Sequence, residues 1–180
     1  MSANDFSINI RDLIGQPGQM REFVIDATVP EQWGEGLVAV RELAPVELDL
    51  RLESVHEGIL VTGEAFADAH GECGRCLDPM DIPVEVEFQE LFAYHQDEAN
   101  EYVVQDDHVN LEPIIRDAVV LALPFQPVCR PDCPGLDPQT GLKLAEQPGV
   151  EDAAVRDPRW EALSSLASNE ADSAEAGPGA

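Results

Sequence analysis

The residues best suited to chemistry in this sequence are four cysteines, which form two closely spaced pairs. Cys73 and Cys76 form the first pair, Cys129 and Cys133 form the second, and the chain has no other cysteine. Thiolates at such short spacing are typical of tetrahedral zinc sites, in which each pair supplies half of the ligands. The sequence therefore predicts that two distant segments of the chain meet at one structural zinc ion.

The zinc prediction has alternatives. The loop of the second pair contains Pro131 and is one residue longer than the usual chelating turn, so the thiols are alternatively small buried side chains without a metal. His70 is a substitute ligand if the pairs do not converge. A redox centre at the first pair is a further alternative, because Arg75 would favour a thiolate there. A redox centre of this kind normally lies at the N-terminus of a helix that follows a parallel strand, whereas this pair follows a pattern typical of an antiparallel hairpin.

The charge balance limits the kinds of partner. The chain has 180 residues, 36 Asp and Glu against 10 Lys and Arg, and a formal net charge of -26. A field of this sign repels phosphate, so direct RNA binding is expected to be weak or absent. The macromolecular partner that this charge favours is a basic protein.

The acidic residues are concentrated between Arg75 and Arg116, a stretch that contains no other Lys or Arg. A solvated, solubilising surface is the simpler interpretation of such a run. Because the run extends over a predicted strand, a loop and a helix start, it also predicts a docking surface for a basic protein. The candidate partner-binding residues are Glu85, Glu87, Asp97, Glu98, Asp106 and Asp107.

Targeting and catalytic signals are weak. No secretory leader pattern opens the chain, and the apolar run at residues 118–125 is too short to span a bilayer, so we expect a cytoplasmic protein without a membrane partner. In that reducing compartment, thiolate ligands are favoured over disulfides. Glycine-rich phosphate loops, nucleophile elbows and paired histidines at helical spacing are missing from the sequence, which favours a protein that is not an enzyme.

The elements that must position the cysteines are predicted to be mainly strands. Apolar residues alternate with polar ones over residues 6–10, 23–29, 46–52 and 82–92, and residues 59–67 favour a hairpin with the strand before them. Pro83 is expected near the start of its strand or on a sheet edge. This pattern predicts an α+β fold, built on a mainly antiparallel sheet or a partly closed barrel.

One packed helix is predicted at about residues 110–123, with Asn110 as N-cap, Pro113 in the first turn and Pro124 after its end. Residues 97–107 are expected to form an acidic loop, with a short strand at 101–105. The predicted domain organisation is an α+β domain over 1–140, a linker with a short amphipathic helix over 141–166, and a disordered acidic tail over 167–180. The first cysteine pair follows the predicted hairpin, and the second pair follows the helix.

Several motifs in order resemble the YceD family, the large ribosomal RNA subunit accumulation proteins. They are residues 71–79 (GECGRCLDP), 111–118 (LEPIIRDA) and 121–136 (LALPFQPVCRPDCPGL), and residues 157–160 (DPRW) resemble the ending of high-GC Gram-positive members. The resemblance implies a bacterial protein that is needed for normal accumulation or processing of 23S ribosomal RNA and is encoded beside a small basic ribosomal protein. It implies no catalytic residues.

One departure from the family concerns the cysteines. Many members have further cysteines where this chain has Asp137 and Thr140, so here four thiolates require convergence of both pairs. The leading hypothesis is a non-enzymatic ribosome assembly factor that binds a basic ribosomal protein, or a large-subunit precursor, through its acidic surface. The alternative is a metal- or thiol-dependent enzyme, a nuclease or redox protein, that acts at Cys73 and Cys76.

Overall fold

The computed structural model describes residues 5–96 and 101–146. Its strands are β1 (Ser7–Asn9), β2 (Met20–Thr28), β3 (Val38–Ala39), β4 (Pro45–Ser54), β5 (Gly58–Glu72), β6 (Pro79–Ala93) and β7 (His108–Asn110). One α-helix, α1 (Glu112–Ala122), follows β7, and a single 3₁₀ turn covers Leu144–Glu146. The predicted α+β class with one packed helix is confirmed.

The main sheet is antiparallel and open. Its strands run in the order β2, β4, β5, β6, and β3 pairs with the far end of β5 beside β4. Strands β1 and β7 form a separate two-stranded sheet. Of the two predicted forms, the open sheet is observed and the partly closed barrel is not. Pro83 lies on β6, an edge strand of this sheet, as its missing N–H requires.

The alternating sequence pattern places one face of the sheet in the core. On β4, the apolar residues at every second position are buried, and the polar residues between them face outward. Gly63 on β5 lies between Leu50 and Phe88, and a Cβ at this glycine would lie 2.7 Å from Leu50 and 2.8 Å from Phe88. A glycine is therefore required for these two large side chains to close the core over the central strand.

Helix α1 packs on β6 and β5 with Ile114, Ile115 and Val119 buried. The predicted N-cap is one residue too early, because the N-cap position is Leu111, which has no side-chain cap. The Asn110 side chain still accepts a hydrogen bond from the backbone N–H of Glu112 at 3.2 Å. The helix ends before Leu123, whose extended backbone is what a following proline favours.

The predictions for residues 101–105 and for the C-terminal part of the chain have different outcomes in the structure. The short strand predicted at 101–105 is wrong, since this segment has only isolated bridges at Val103 and Gln105 among the described residues. The short helix and the tail predicted at 157–166 and 167–180 lie outside the described residues. In the part of the chain that the structure describes, no helix is long and apolar enough to cross a membrane.

Candidate functional site

The structure brings all four cysteines together, which confirms the predicted convergence of the two pairs. The first pair lies in the turn between β5 and β6, and the second lies in the segment after α1. All four Sγ atoms lie within 4.8 Å of one another, with 3.7 Å between Cys76 and Cys129 and 3.9 Å between Cys73 and Cys133. Cys129 is exposed, and the other three are buried.

These sulfur separations match a metal site better than they match disulfides. A tetrahedral zinc ion with Zn–S bonds of about 2.3 Å places its sulfurs about 3.8 Å apart. A disulfide would require about 2.05 Å, and all four cysteines are free. The cluster is therefore compatible with one metal ion held by four thiolates. Four thiolates leave no coordination position for a reacting water, so such a site is structural.

The first chelating turn is held by the hairpin that carries it. Strands β5 and β6 pair without interruption from Gly58 opposite Ala93 to Glu72 opposite Pro79. Beyond that register, the Cys73 N–H donates to the Asp78 carbonyl at 2.8 Å, and the Leu77 N–H donates to the Cys73 carbonyl at 2.9 Å. The longest hairpin in the fold thus fixes the direction in which the first pair points.

The second chelating turn is tied to the first by hydrogen bonds. The Gly74 N–H donates to the Pro127 carbonyl at 2.8 Å, and the Cys129 N–H points at the Cys73 sulfur at 3.4 Å. The guanidinium of Arg75 donates to the carbonyls of Pro131 and Cys133, both at 3.1 Å. Arg75 therefore joins the two loops, a role that differs from the thiolate activation considered from the sequence.

The thiols have unlike electrostatic environments. Backbone N–H groups, that of Cys129 above all, donate to the Cys73 sulfur and lower the pKa of Cys73 to about 6. At Cys76, a backbone hydrogen bond from Asp78 lowers the pKa, but burial and the neighbouring thiols outweigh it and raise the pKa to about 12. Burial also raises the pKa of Cys129. Protein groups therefore favour the thiolate at Cys73 and disfavour it at Cys76 and Cys129, while a bound cation would stabilise the thiolate form at each of them.

An ion pair that the sequence analysis missed borders the cysteines. The Lys143 ammonium donates to the Asp78 carboxylate, and the Cys76 thiol approaches the other Asp78 oxygen at 3.3 Å. Lys143 lowers the pKa of Asp78, and Asp78 raises the pKa of Lys143. The one sequence feature that could have pointed to this ion pair is that Lys143 is the only lysine in the chain. This pair fastens residues 136–143 to the first chelating turn.

The alternative ligand His70 has another partner. Its Nδ1 lies 2.5 Å from an Asp81 carboxylate oxygen, across the β5–β6 ladder. His70 does not belong to the group of side chains that could hold the metal, which consists of the four cysteines. The substitution considered from the sequence is therefore not needed.

The predicted partner-binding residues are divided among three regions. Glu85 and Glu87 face outward on β6. Asp106 and Asp107 form the turn before β7, each with a positive φ, and Asp107 lies 3.8 Å from Arg11. Asp97 and Glu98 lie outside the described residues. The structure thus puts Glu85 and Glu87 on the main sheet and the two turn aspartates on the smaller one.

Glu85 and Glu87 belong to a larger acidic surface, which we call the acidic sheet face. It is the outward side of β2, β4, β5 and β6, and it carries carboxylates on every strand. They include Glu22, Asp26, Glu47, Asp49, Glu64, Asp68, Glu85 and Glu87. The sequence pointed only to the β6 members of this face. The carboxylates of β2, β4 and β5 are far apart in the sequence, and only the register of the strands shows that they share one surface.

The register sets like charges directly opposite one another on this face. Asp49 on β4 is opposite Glu64 on β5, and Glu64 is opposite Glu87 on β6. Among the described residues, the only cation on the face is Arg51, whose side chain lies 3.4 Å from Glu53. Directly opposed like charges destabilise a sheet by up to about 1 kcal/mol per pair. The arrangement therefore costs folding stability.

Leu77 should limit the stability of the first chelating turn. Its φ of 59° is left-handed and its side chain is exposed, a conformation that costs a non-glycine residue about 1–2 kcal/mol. We expect Leu77→Gly to raise the free energy of unfolding by up to about 1 kcal/mol, since part of the gain is lost to unfolded-state entropy. Leu77→Val should lower it by about 1 kcal/mol. Urea denaturation at fixed zinc concentration measures both.

The control for the Leu77 substitutions is Leu142→Gly. Leu142 is also an exposed leucine near the cysteines, but its φ is not positive. Glycine should therefore destabilise the protein there, by about 0.5–1 kcal/mol. Equal effects of glycine at both positions would contradict the role given to the left-handed turn.

Comparison with known proteins adds a family and several relatives. The family model described as "Large ribosomal RNA subunit accumulation protein YceD" matches residues 61–167, which include all four cysteines. An uncharacterized protein of Mycobacterium tuberculosis (strain H37Rv) is 44% identical over 177 residues, which are 94% of this chain and 85% of the relative.

More distant relatives also match. An uncharacterized protein of Mycobacterium leprae is 38% identical over 88% of this chain and 76% of its own length. The uncharacterized protein YlbN of Bacillus subtilis is 26% identical over 71% of this chain and 77% of its own length. No solved structure matches this chain. The relatives therefore match across most of the chain but carry no described activity.

Proposed function

Because this chain belongs to the YceD family of large ribosomal RNA subunit accumulation proteins, we propose that it is a non-enzymatic assembly factor whose acidic sheet face binds a basic ribosomal protein. The family is associated with accumulation of large-subunit ribosomal RNA. A chain with a net charge of -26 is poorly suited to hold that RNA directly. Binding a basic protein of the large-subunit precursor would protect the RNA indirectly.

The observation that carries this proposal is the row formed by Asp49, Glu64 and Glu87 across three neighbouring strands. A row of opposed carboxylates is unfavourable in the free protein, because each raises the energy of the next. Lysine and arginine side chains of a partner would remove that repulsion on binding, so the cost in the free state becomes a gain in the complex. A merely solubilising surface would not need carboxylates directly opposite one another.

We also propose that the four cysteines hold one structural zinc ion. Cys73 and Cys76 would supply two thiolates from the β5–β6 turn, and Cys129 and Cys133 would supply two from the segment after α1. Zinc accepts four thiolates at the observed spacing without a preference for another geometry. In this role the metal fastens the segment that follows the helix to the sheet and performs no chemistry. The proposed place of action is the cytoplasm, where large-subunit precursors assemble.

The enzyme alternative draws on one observation, the lowered pKa of Cys73. A catalytic thiolate must also reach its substrate. Cys73 is completely buried, and Cys76 is nearly so. The arrangement therefore favours a ligand over a nucleophile at this position.

Affinity copurification from a native lysate tests the proposed function. The tagged protein is recovered at low salt, with one half of the sample treated with RNase, and both proteins and RNA are identified. We expect basic ribosomal proteins to be retained after RNase and released as salt rises, because screening weakens contacts between exposed charges. Recovery of RNA alone, or loss of every partner on RNase treatment, would contradict the proposal.

A further inference from the structure

An apolar groove that the described residues leave uncovered lies next to the segment that leads from α1 to the second cysteine pair. It has a volume of about 390 Å³ and runs between the loop that carries β3 and the C-terminal end of α1. Its apolar lining consists of Leu37, Val38, Val120, Leu123, Pro124 and Phe125. Phe125 is 90% exposed and Val120 is 37% exposed, and both line the groove. Exposed apolar side chains that lie together in this way mark a binding surface more often than isolated ones do.

The sequence offers an occupant for this groove within the same chain. Residues 157–166 follow the last described residue, Glu146, and carry Trp160, Leu163 and Leu166 at helical spacing. Pro158 at the predicted first turn favours a short amphipathic helix. Such a helix has one apolar stripe that must be buried against another surface.

The connection is long enough for this segment to reach the groove. Glu146 borders the same small cleft as Cys129 and Cys133, and the Pro127 carbonyl of the adjoining loop bonds to Gly74. The chain therefore leaves the described part close to the cysteines, a few residues from Phe125. Residues 147–156 span up to about 33 Å when extended, whereas a compact domain of this length has a radius of gyration of about 15 Å.

The position of one arginine in this occupant is also suited to the groove. Arg159 lies directly before Trp160 and is the one basic residue of the segment, which also contains Asp157 and Glu161. Helix α1 has no basic residue in its last turn to interact with the carbonyls at its C-terminus. Glu35 also lines the groove. A segment that brings arginine beside a tryptophan thus complements both the apolar lining and the negative end of the helix.

We infer that residues 157–166 bind this groove within the same molecule, with Trp160 seated against Phe125. The family match supports this, because it extends to residue 167 and so includes the segment together with the cysteines and α1. The inference does not depend on the partner proposed for the acidic sheet face, since it concerns a different surface. The bound segment would cover the apolar groove and add a second fastening beside the proposed metal.

Tryptophan fluorescence of the full chain tests this inference. The chain has two tryptophans, and the other one, Trp33, is buried. The difference between wild type and Trp160→Phe therefore isolates the emission of Trp160. We expect blue-shifted emission and protection from acrylamide. In the double variant Val120→Ser, Phe125→Ser, which changes two residues of the groove lining, the emission should move to the red and the quenching constant should rise several-fold.

Controls separate this result from a general loss of structure. Val24→Ser removes an exposed apolar side chain from the sheet, far from the groove in sequence and on another element, and should leave Trp160 unchanged. Near-ultraviolet circular dichroism of Trp33 should stay the same in all variants. Intramolecular binding is unaffected by dilution over about a hundredfold range.

Two outcomes would overturn the inference. If Trp160 in the wild type is as accessible to acrylamide as in the double variant, the segment does not occupy the groove. If its protection disappears on dilution, the occupant is a second copy of the chain. Both results are obtained without knowledge of the ribosomal partner, so they are distinct from a failure of the proposed function.

Discussion

Replacing Cys76 by serine is expected to abolish metal binding and to release the segment after α1, while the sheet remains folded. A serine hydroxyl does not replace a thiolate on zinc, and three remaining ligands bind the ion far more weakly. Residues 124–146 contain a single 3₁₀ turn and bury few apolar side chains. By contrast, the core between the sheet and α1 has a continuous set of buried residues. The loss of order should therefore be local.

Metal analysis and hydrogen exchange measure this result. The wild type should contain about one zinc per chain and the variant none. Exchange of the backbone N–H groups of Gly74 and Cys129 should become on the order of a hundredfold faster or more, because each bonds to the other loop and loses its partner when the loops separate. Amides in the middle of β4 and β5 should change little.

A chelator added to the wild type provides the matched control, since it should reproduce the exchange pattern of the variant without a mutation. The structural-zinc proposal would fail if reduced, zinc-supplied protein contained no metal. It would also fail if the serine variant kept wild-type exchange at Gly74 and Cys129. Loss of a measured turnover in a variant with intact exchange would instead support the enzyme alternative.

Neutralising the row of opposed carboxylates should raise the stability of the protein and weaken its binding to the basic partner. The triple variant Asp49→Asn, Glu64→Gln, Glu87→Gln removes two directly opposed pairs and keeps the side-chain shapes. We expect its free energy of unfolding to rise by about 1 kcal/mol, because the repulsion is lost. Its affinity for the basic partner should fall on the order of tenfold at low salt, with the difference disappearing as salt is raised.

The two measurements are chemical denaturation and binding to a mixture of proteins stripped from purified large ribosomal subunits. The control variant is Glu42→Gln, Glu57→Gln, Glu101→Gln, which removes the same charge from exposed positions outside the β-strands. It should leave stability nearly unchanged and weaken binding less. If both triple variants weaken binding equally, net charge is responsible and the acidic sheet face is not a specific surface.

The fold was predictable where a local pattern decides it. Alternation on β4 and β6 predicted which side chains enter the core, and Pro83 predicted an edge strand, because both properties follow from the geometry of a single strand. The open sheet was not distinguished from a partly closed barrel. Closure depends on how distant strands meet, and the alternation within each strand is the same in both forms.

The sequence predicted the candidate ligands of the site, but it did not predict the hydrogen bonds that hold them in place. Thiol chemistry alone suggested that Cys73 and Cys133 should meet. The bonds from Arg75 to the second loop and from Lys143 to Asp78 depend on the path of residues 124–146, which has no periodic pattern to read. The opposed carboxylates were likewise missed, since Asp49 and Glu64 become neighbours only through the register of β4 and β5.

The position of the two chelating turns along the chain has a consequence for biosynthesis. All strands of the main sheet lie before residue 94, whereas the second cysteine pair follows α1. A ribosome that makes the chain from its N-terminus therefore exposes Cys73 and Cys76 while the other two thiols are still untranslated. During that interval these two thiols lack the partners that the proposed zinc site requires. The proposed four-thiolate zinc site can therefore form only in a chain translated past Cys133.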